Sequence, residues 1–173
     1  MNAAQLRRVT VESFAHYRQG LVELLLDAVR QGASLGFMAD LDAHEANTYL
    51  DEVKARIAIN DLVLWAVVKD EQVLASAQLV YCKRANGLNR AEVQKLMVRE
   101  DAQRRGMGQQ LMQAVEVAAR QNSRGLLHLD TEAGSPAEAF YLSQGYKRAG
   151  QMPGFACRPD GEYTATAFFY KTL

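Results

Sequence analysis

The segment Gln103-Arg104-Arg105-Gly106-Met107-Gly108 constrains this chain more than any other. It follows an apolar strand pattern, Ala91 to Val98, and opens a helical pattern, Gly108 to Arg120. A strand that enters a glycine-containing loop at a helix start makes an anion site. The first amides of a helix have no intrahelical acceptor and remain free donors. The helix dipole adds positive potential at the same place. Gly106 and Gly108 lack Cβ, so a phosphate can approach the backbone closely. Arg104 and Arg105 add charge nearby. The expected ligand is a pyrophosphate. No Gly-Lys-Ser/Thr follows, so this is not a Walker loop, and Gly-x-Gly-x-x-Gly is absent, so it is not a dinucleotide fingerprint. On the loop alone, a glycine turn with two solvated arginines stays open as the plainer reading.

The flanks supply the context. Leu6 to Val11 reads as a short strand. Phe14, Tyr17, Leu21, Leu24, Leu25 and Ala28 then recur at three- and four-residue spacing, which predicts an amphipathic helix ending at Gly32. Gly32 to Asp42 is a loop. Asp42 is placed to cap a second helix, with Glu45 as reciprocal partner and Ala46, Leu50, Val53 and Ile57 as its apolar face. Leu62 to Val68 and Val73 to Cys82 are strands around the polar turn Lys69 to Gln72. Ala85-Asn86-Gly87 marks a turn before a third long strand, Arg90 to Val98. The helix after the glycine loop should bury Leu111, Val115 and Ala118. Leu126 to Leu129 is a short strand. Ser135-Pro136-Ala137-Glu138 starts a short helix, with Ser135 as N-cap and Gly145 as its stop. Tyr146 to Gly150 and Tyr163 to Lys171 read as closing strands. The predicted order is β-α-α-β-β-β-α-β-α-β-β: an antiparallel meander, then a βαβ crossover carrying the glycine loop.

At 173 residues the chain is expected to form one domain, 1–173, with a proper core. Lys+Arg and Asp+Glu are both 20, which removes any bulk electrostatic case for nucleic acid or an anionic membrane. The start of the chain has no apolar core of signal length and no segment spans a bilayer, so a cytoplasmic location is expected. Cys82 and Cys157 are isolated, and His16, His44 and His128 are scattered, so no metal site is expected.

The pattern Gln/Arg-x-x-Gly-x-Gly/Ala after such a strand resembles the acetyl-coenzyme A loop of the GNAT N-acetyltransferases. The element order fits that family over nearly the whole chain. Gln5 to Thr10, Gly32 to Ser34, Gly36 to Asp42, Asn86 to Val98 and Gly125 to Ser135 are similar to its tabtoxin-resistance members. The resemblance implies an α/β (α+β mixed-sheet) fold of about seven strands, with a splayed parallel pair and about four helices. It implies acetyl transfer from acetyl-CoA, without a metal, to the amine of a small amino-acid-like acceptor such as a β-lactam toxin. Homodimers are common in the family, and both dimer and monomer stay open.

The resemblance also assigns residues. The backbone of Leu96, Met97 and Val98 would pair with the pantetheine arm, and Gln103, Arg104, Arg105, Gly106, Met107, Gly108 and Gln109 would hold the pyrophosphate. Ala137 to Tyr141 with Gly145-Tyr146 resembles the family's A-x-x-x-Y…G-[FY] signature, which makes Tyr141 the group that protonates the leaving thiolate. The family often has Asn seven residues before this tyrosine; here that position is Gly134, so a backbone group or Ser135 would have to substitute.

An attacking amine of pKa ~8–10 must lose a proton before it is nucleophilic. Glu92 and Asp130 are the candidate carboxylates. Glu92 lies eleven residues before Gln103, a spacing that resembles the histone-type branch, where a glutamate is the general base. It could equally pair with Arg90 or Lys95. Asp130 ends a strand and shares a face with His128 by alternation; a cap on the Thr131-Glu132 turn is its alternative role. In the Gly32 to Asp42 loop, Phe37 and Met38 would give the acceptor an apolar wall, and Asp40 could meet its ammonium. Acetylation of a protein N-terminus or lysine, and a non-catalytic acyl-CoA sensor, are the competing readings.

Overall fold

A computed structural model describes residues 3–173. In chain order the elements are β1 (Gln5–Val9), α1 (Phe14–Arg30), α2 (Ala43–Ala58), β2 (Leu62–Lys69), β3 (Gln72–Tyr81), β4 (Arg90–Val98), α3 (Met107–Gln121), β5 (Leu126–Glu132), α4 (Pro136–Ser143), β6 (Lys147–Cys157) and β7 (Tyr163–Thr172). The strands form one seven-stranded sheet in the order β1-β2-β3-β4-β5-β7-β6. Only β4–β5 is parallel among the described pairs. The fold is therefore the mixed α/β architecture expected.

Helices cover both faces of the sheet, which explains the unbroken apolar run of β2. Leu62, Leu64 and Ala66 point to one side and pack with Phe14, Leu24 and Leu25 of α1 and Leu50 and Val53 of α2. Val63, Trp65 and Val67 point to the other and pack with Leu111, Met112 and Val115 of α3 and Tyr141 of α4. Each fully buried aliphatic side chain contributes about 1.5–3 kcal/mol relative to exposure. On α3 the fully buried residue of the last turn is Ala119, not Ala118, which only packs at the margin of the core.

Local chemistry sets the ends. Gly32, at φ +84°, closes α1: its amide bonds Val29 O, and the Ala33 amide bonds Ala28 O. This is a Schellman turn, and it starts the long loop to α2. Asp42 caps α2 by accepting from the Glu45 amide at 2.8 Å, while no reciprocal bond from the Glu45 side chain forms among the described residues. Ser135 does not cap α4 through its side chain; its hydroxyl donates back to Glu132 O at 2.7 Å. Strand β1 stops at Val9 because Thr10 and Ser13 exchange bonds that turn the chain. Strand β6 runs past Gly150 to Cys157 through an irregularity between Met152 and Ala156 that contains Pro153. An edge strand tolerates a proline there. No helix among the described residues is long and apolar enough to cross a membrane.

One irregularity matters most. Against β3, Gln94 faces Gln78 and Met97 faces Ser76, so Lys95 and Leu96 together oppose Ala77. This is a β-bulge, with Lys95 at φ +50°. It reverses the alternation of β4. Ala91 and Val93 face α3 and α4 before it, whereas Met97 faces α1 and α2 after it.

Candidate active site

The two parallel strands part in the middle. Pairing of β4 with β5 stops at Glu92 opposite His128, although β4 continues to Val98 and β5 to Glu132. The cause lies in their other neighbours. β5 stays in register with β7 along its whole length, while β4 stays with β3 beyond the bulge. The result is a fork. Along its β4 side, Leu96, Met97 and Val98 carry backbone groups with no β5 partner, and buried backbone groups need one.

At the end of β4 the glycine loop reaches α3. Arg104, at φ +60°, and Gly106, at φ +79°, are both left-handed. Such a turn directs successive amides to one side, as in anion-binding nests. The first helical bond of α3 runs from the Gln110 amide to Gly106 O at 3.0 Å, which leaves the Met107, Gly108 and Gln109 amides free of intrahelical partners. The loop side chains make contacts of their own. Gln103 donates to Gln31 Oε1 at 3.0 Å and so ties the loop to the end of α1. Arg105 folds back onto Asp101 O at 2.8 Å, while Arg104 is exposed. Gly108 also meets a packing neighbour: a Cβ there would lie 3.2 Å from Phe140 Cζ, so its bareness lets α4 pack on α3.

That packing brings Tyr141 to the fork. Its ring is buried, stacked edge-on to Tyr146 with centroids 6.0 Å apart and tilted against Phe169 at 6.1 Å. Burial, with a smaller contribution from the Asp130 charge, pushes the Tyr141 phenol far above its ordinary value. It is a firmly protonated hydroxyl. Gly134, where the family often has Asn, takes φ +79°, and its amide is held by the Glu138 carboxylate at 3.3 Å.

Glu92, Asp130, Lys95 and His128 converge at the point of divergence. Partial desolvation, then the nearby Glu92 charge, push the Asp130 carboxyl above the usual range, and Lys95 and His128 pull it back. Asp130 keeps solvent access, so the effect on its charged form is moderate in energy. Neither carboxylate forms an ion pair among the described residues, so Glu92 is not consumed by Arg90 or Lys95.

The Gly32 to Asp42 loop lies against the same region. Phe37 packs edge-on against Tyr49 of α2 at 5.2 Å, and Lys95 Nζ lies 5.7 Å from both rings. Asp40 is exposed and in no ion pair among the described residues. Residues that the sequence did not single out complete the wall. The tip between β6 and β7 is bound to the loop by Ser34 Oγ donating to Cys157 O at 3.4 Å and by the Ala39 amide donating to Pro159 O at 3.0 Å. Met38 Sδ lies 3.8 Å from Cys157 Sγ. Arg158 then pairs with Glu132 at the end of β5. No local signal links segments more than a hundred residues apart, so this wall could not be read from spacing.

The fork and the amide cradle are the two features that an acyl-CoA site requires, and residues 60–148, which contain both, match the acetyltransferase (GNAT) domain model. The chain belongs to the GNAT acetyltransferase family. Solved structures agree in fold. Ribosomal-protein-alanine N-acetyltransferase from Brucella melitensis is 20% identical with a TM-score of 0.79, covering 98% of this chain and 99% of that one. An acetyltransferase from Salmonella typhimurium, solved with its cofactor acetyl-CoA, is 17% identical with a TM-score of 0.81, over 99% and 95%. A phosphinothricin acetyltransferase from Sinorhizobium meliloti, in complex with AcCoA, is 15% identical with a TM-score of 0.79, over 99% and 89%. This GNAT member is accordingly an N-acetyltransferase.

Proposed function

We propose that the enzyme transfers an acetyl group from acetyl-CoA to the amine of a small, amino-acid-like acceptor, the class to which β-lactam toxins such as tabtoxinine-β-lactam belong. The observation that supports this reading is the fork itself, with Glu92 in the last parallel pair, Asp130 two residues past His128 on the parting strand, and the Tyr141 phenol near enough to feel the Asp130 charge. The amides of Met107, Gly108 and Gln109, helped by the charge of Arg104, would hold the pyrophosphate, and the open edge of Leu96 to Val98 would hold the pantetheine arm. Acetyl-CoA supplies an activated acyl carbon and a thiolate leaving group. The chain's own groups handle protons.

Asp130 is assigned the role of base. It is the carboxylate whose charge Tyr141 senses, and its raised value makes it a stronger proton acceptor near neutral pH. Glu92 then holds the incoming ammonium. Tyr141 donates its proton to the leaving sulfur, because a thiol of pKa near ~8.5 departs more readily when protonated. The tie between the Gly32 to Asp42 loop and the β6–β7 tip fixes two segments beside the acceptor side, which favours a small molecule over a peptide laid across an open groove.

Release of coenzyme A, measured with acetyl-CoA and a panel of amino acids, simple amines and peptide N-termini, tests the reading. Turnover confined to peptides would overturn the small acceptor; none with any amine would favour a sensor. The division of labour is tested by pH profiles. Asp130→Asn should lower kcat/KM by ~10²-fold or more at neutral pH, with the deficit shrinking as the amine's own pKa is approached. Glu92→Gln should chiefly raise KM for the amine. The opposite split would exchange the two roles.

A further inference from the structure

The bulge in β4 places a cation in the acceptor site for which the proposed chemistry has no use. By simple alternation Lys95 would share the face of Ala91 and Val93 and point into the apolar core under α3. The bulge, with Lys95 in the left-handed region, turns it to the opposite face. A non-glycine residue in that conformation costs of order 1–3 kcal/mol, and such strain is concentrated at functional positions. The ammonium arrives half-buried among the acceptor loop, α2 and the fork. It donates to Leu35 O at 2.7 Å and lies 5.7 Å from the Phe37 and Tyr49 rings. Bare Gly36, at φ +86°, stands beside it: a Cβ there would be 4.0 Å from Lys95 Nζ. The group has three N–H donors and one protein acceptor, and forms no ion pair among the described residues.

We infer that Lys95 is a specificity residue that binds the carboxylate of the acceptor. This rests on the small-acceptor reading given above. A site with carboxylates on one side and a single lysine on the other is complementary to a zwitterion: ammonium toward Glu92 and Asp130, carboxylate toward Lys95. Loss of water around Lys95 disfavours its charged form, and the charges of Asp130 and Glu92 oppose that loss. A bound carboxylate would act in the same direction and at shorter range. The two aromatic faces and the Leu35 carbonyl hold the ammonium in place, so its remaining donors are already directed.

The test pairs α-amino acids with their α-carboxamides, which differ in the charge that Lys95 is said to read. Three proteins are compared: wild type, Lys95→Met, which keeps a long chain against Phe37 and Tyr49, and Lys95→Arg. Wild type should prefer acid over amide by at least thirtyfold in kcat/KM. In Lys95→Met the ratio should fall to about three or less, through KM for the acid, while Lys95→Arg keeps a preference above tenfold. Three outcomes overturn the inference: a wild type indifferent to the carboxylate, a Lys95→Met variant that retains the preference, or a variant that loses acid and amide equally, which would make Lys95 a tether for Leu35 alone. Turnover of amino acids without discrimination removes only the role of Lys95. Turnover restricted to peptides removes the small-acceptor reading, and the role of Lys95 with it.

Discussion

Tyr141 combines a buried ring with a hydroxyl that has no partner among the described residues yet, unlike the hydroxyls of Tyr81 and Tyr146, is not fully enclosed. Removing such a hydroxyl strands no partner, so the usual cost of an orphaned polar group does not arise. Tyr141→Phe should therefore melt within a degree or two of wild type and bind acetyl-CoA normally, yet lose at least tenfold in kcat. Turnover within twofold of wild type would make the residue purely structural. Asp130 carries a cost of the opposite kind. Its carboxyl is held above the ordinary range, so the unfolded chain ionises first as pH rises. The folded state then binds more protons than the unfolded one, and stability falls through that window and stays reduced above it. Asp130→Asn removes the penalty. Its melting temperature relative to wild type should be higher at pH 7.5 than at about pH 2.5, where the Asp130 carboxyl is largely protonated in both the folded and the unfolded wild type. A gain that grows toward acid would contradict the assigned direction.

At the scale of elements, the start of α3 offers a probe that separates binding from folding. Gln109 is exposed in the first turn. Gln109→Glu puts a carboxylate where the helix dipole welcomes it, worth about 0.3–1 kcal/mol of stability. The same charge faces the proposed pyrophosphate. Calorimetry should show at least tenfold weaker acetyl-CoA binding, partly restored by salt, in a protein no less stable than wild type. Unchanged affinity would move the pyrophosphate elsewhere. The elements themselves were largely legible, because strand and helix periods are local: the apolar stripe of α1, the Asp42 cap and the Gly32 stop all stand where the residues indicate. The bulge at Lys95 was not. In Val93-Gln94-Lys95-Leu96 the alternation breaks at Lys95, a polar residue at a core-facing position, but only the register with β3 shows that a bulge is the cause. Gly108 was legible as a required glycine, but its contact with Phe140 was not, since Phe140 comes from an element that sequence spacing does not place. The same limit hid the β6–β7 tip as part of the acceptor wall.

For the whole molecule, the divergence of β4 and β5 is an internal sheet edge. Edge strands elsewhere recruit further strands. Here the gap lies beside α3 and α4, and the occupant proposed for it is the amide-bearing arm of a coenzyme. Such a ligand joins two half-sheets, β1 to β4 and β5 with β7 and β6, whose parallel contact ends at Glu92 and His128. It is then a structural member as well as a reactant. Amide hydrogen exchange should slow on acetyl-CoA addition at Leu96 to Val98 and at the start of α3, with little change in β2 and β3. The apparent melting temperature should climb with the logarithm of ligand concentration once above Kd. Each turnover would then briefly loosen the seam between the half-sheets, and an acceptor arriving in that interval would meet a wider mouth than one arriving at the loaded enzyme. An ordered mechanism with acetyl-CoA first would then be a mechanical property of the sheet, and initial-rate kinetics with a dead-end acceptor analogue would check it.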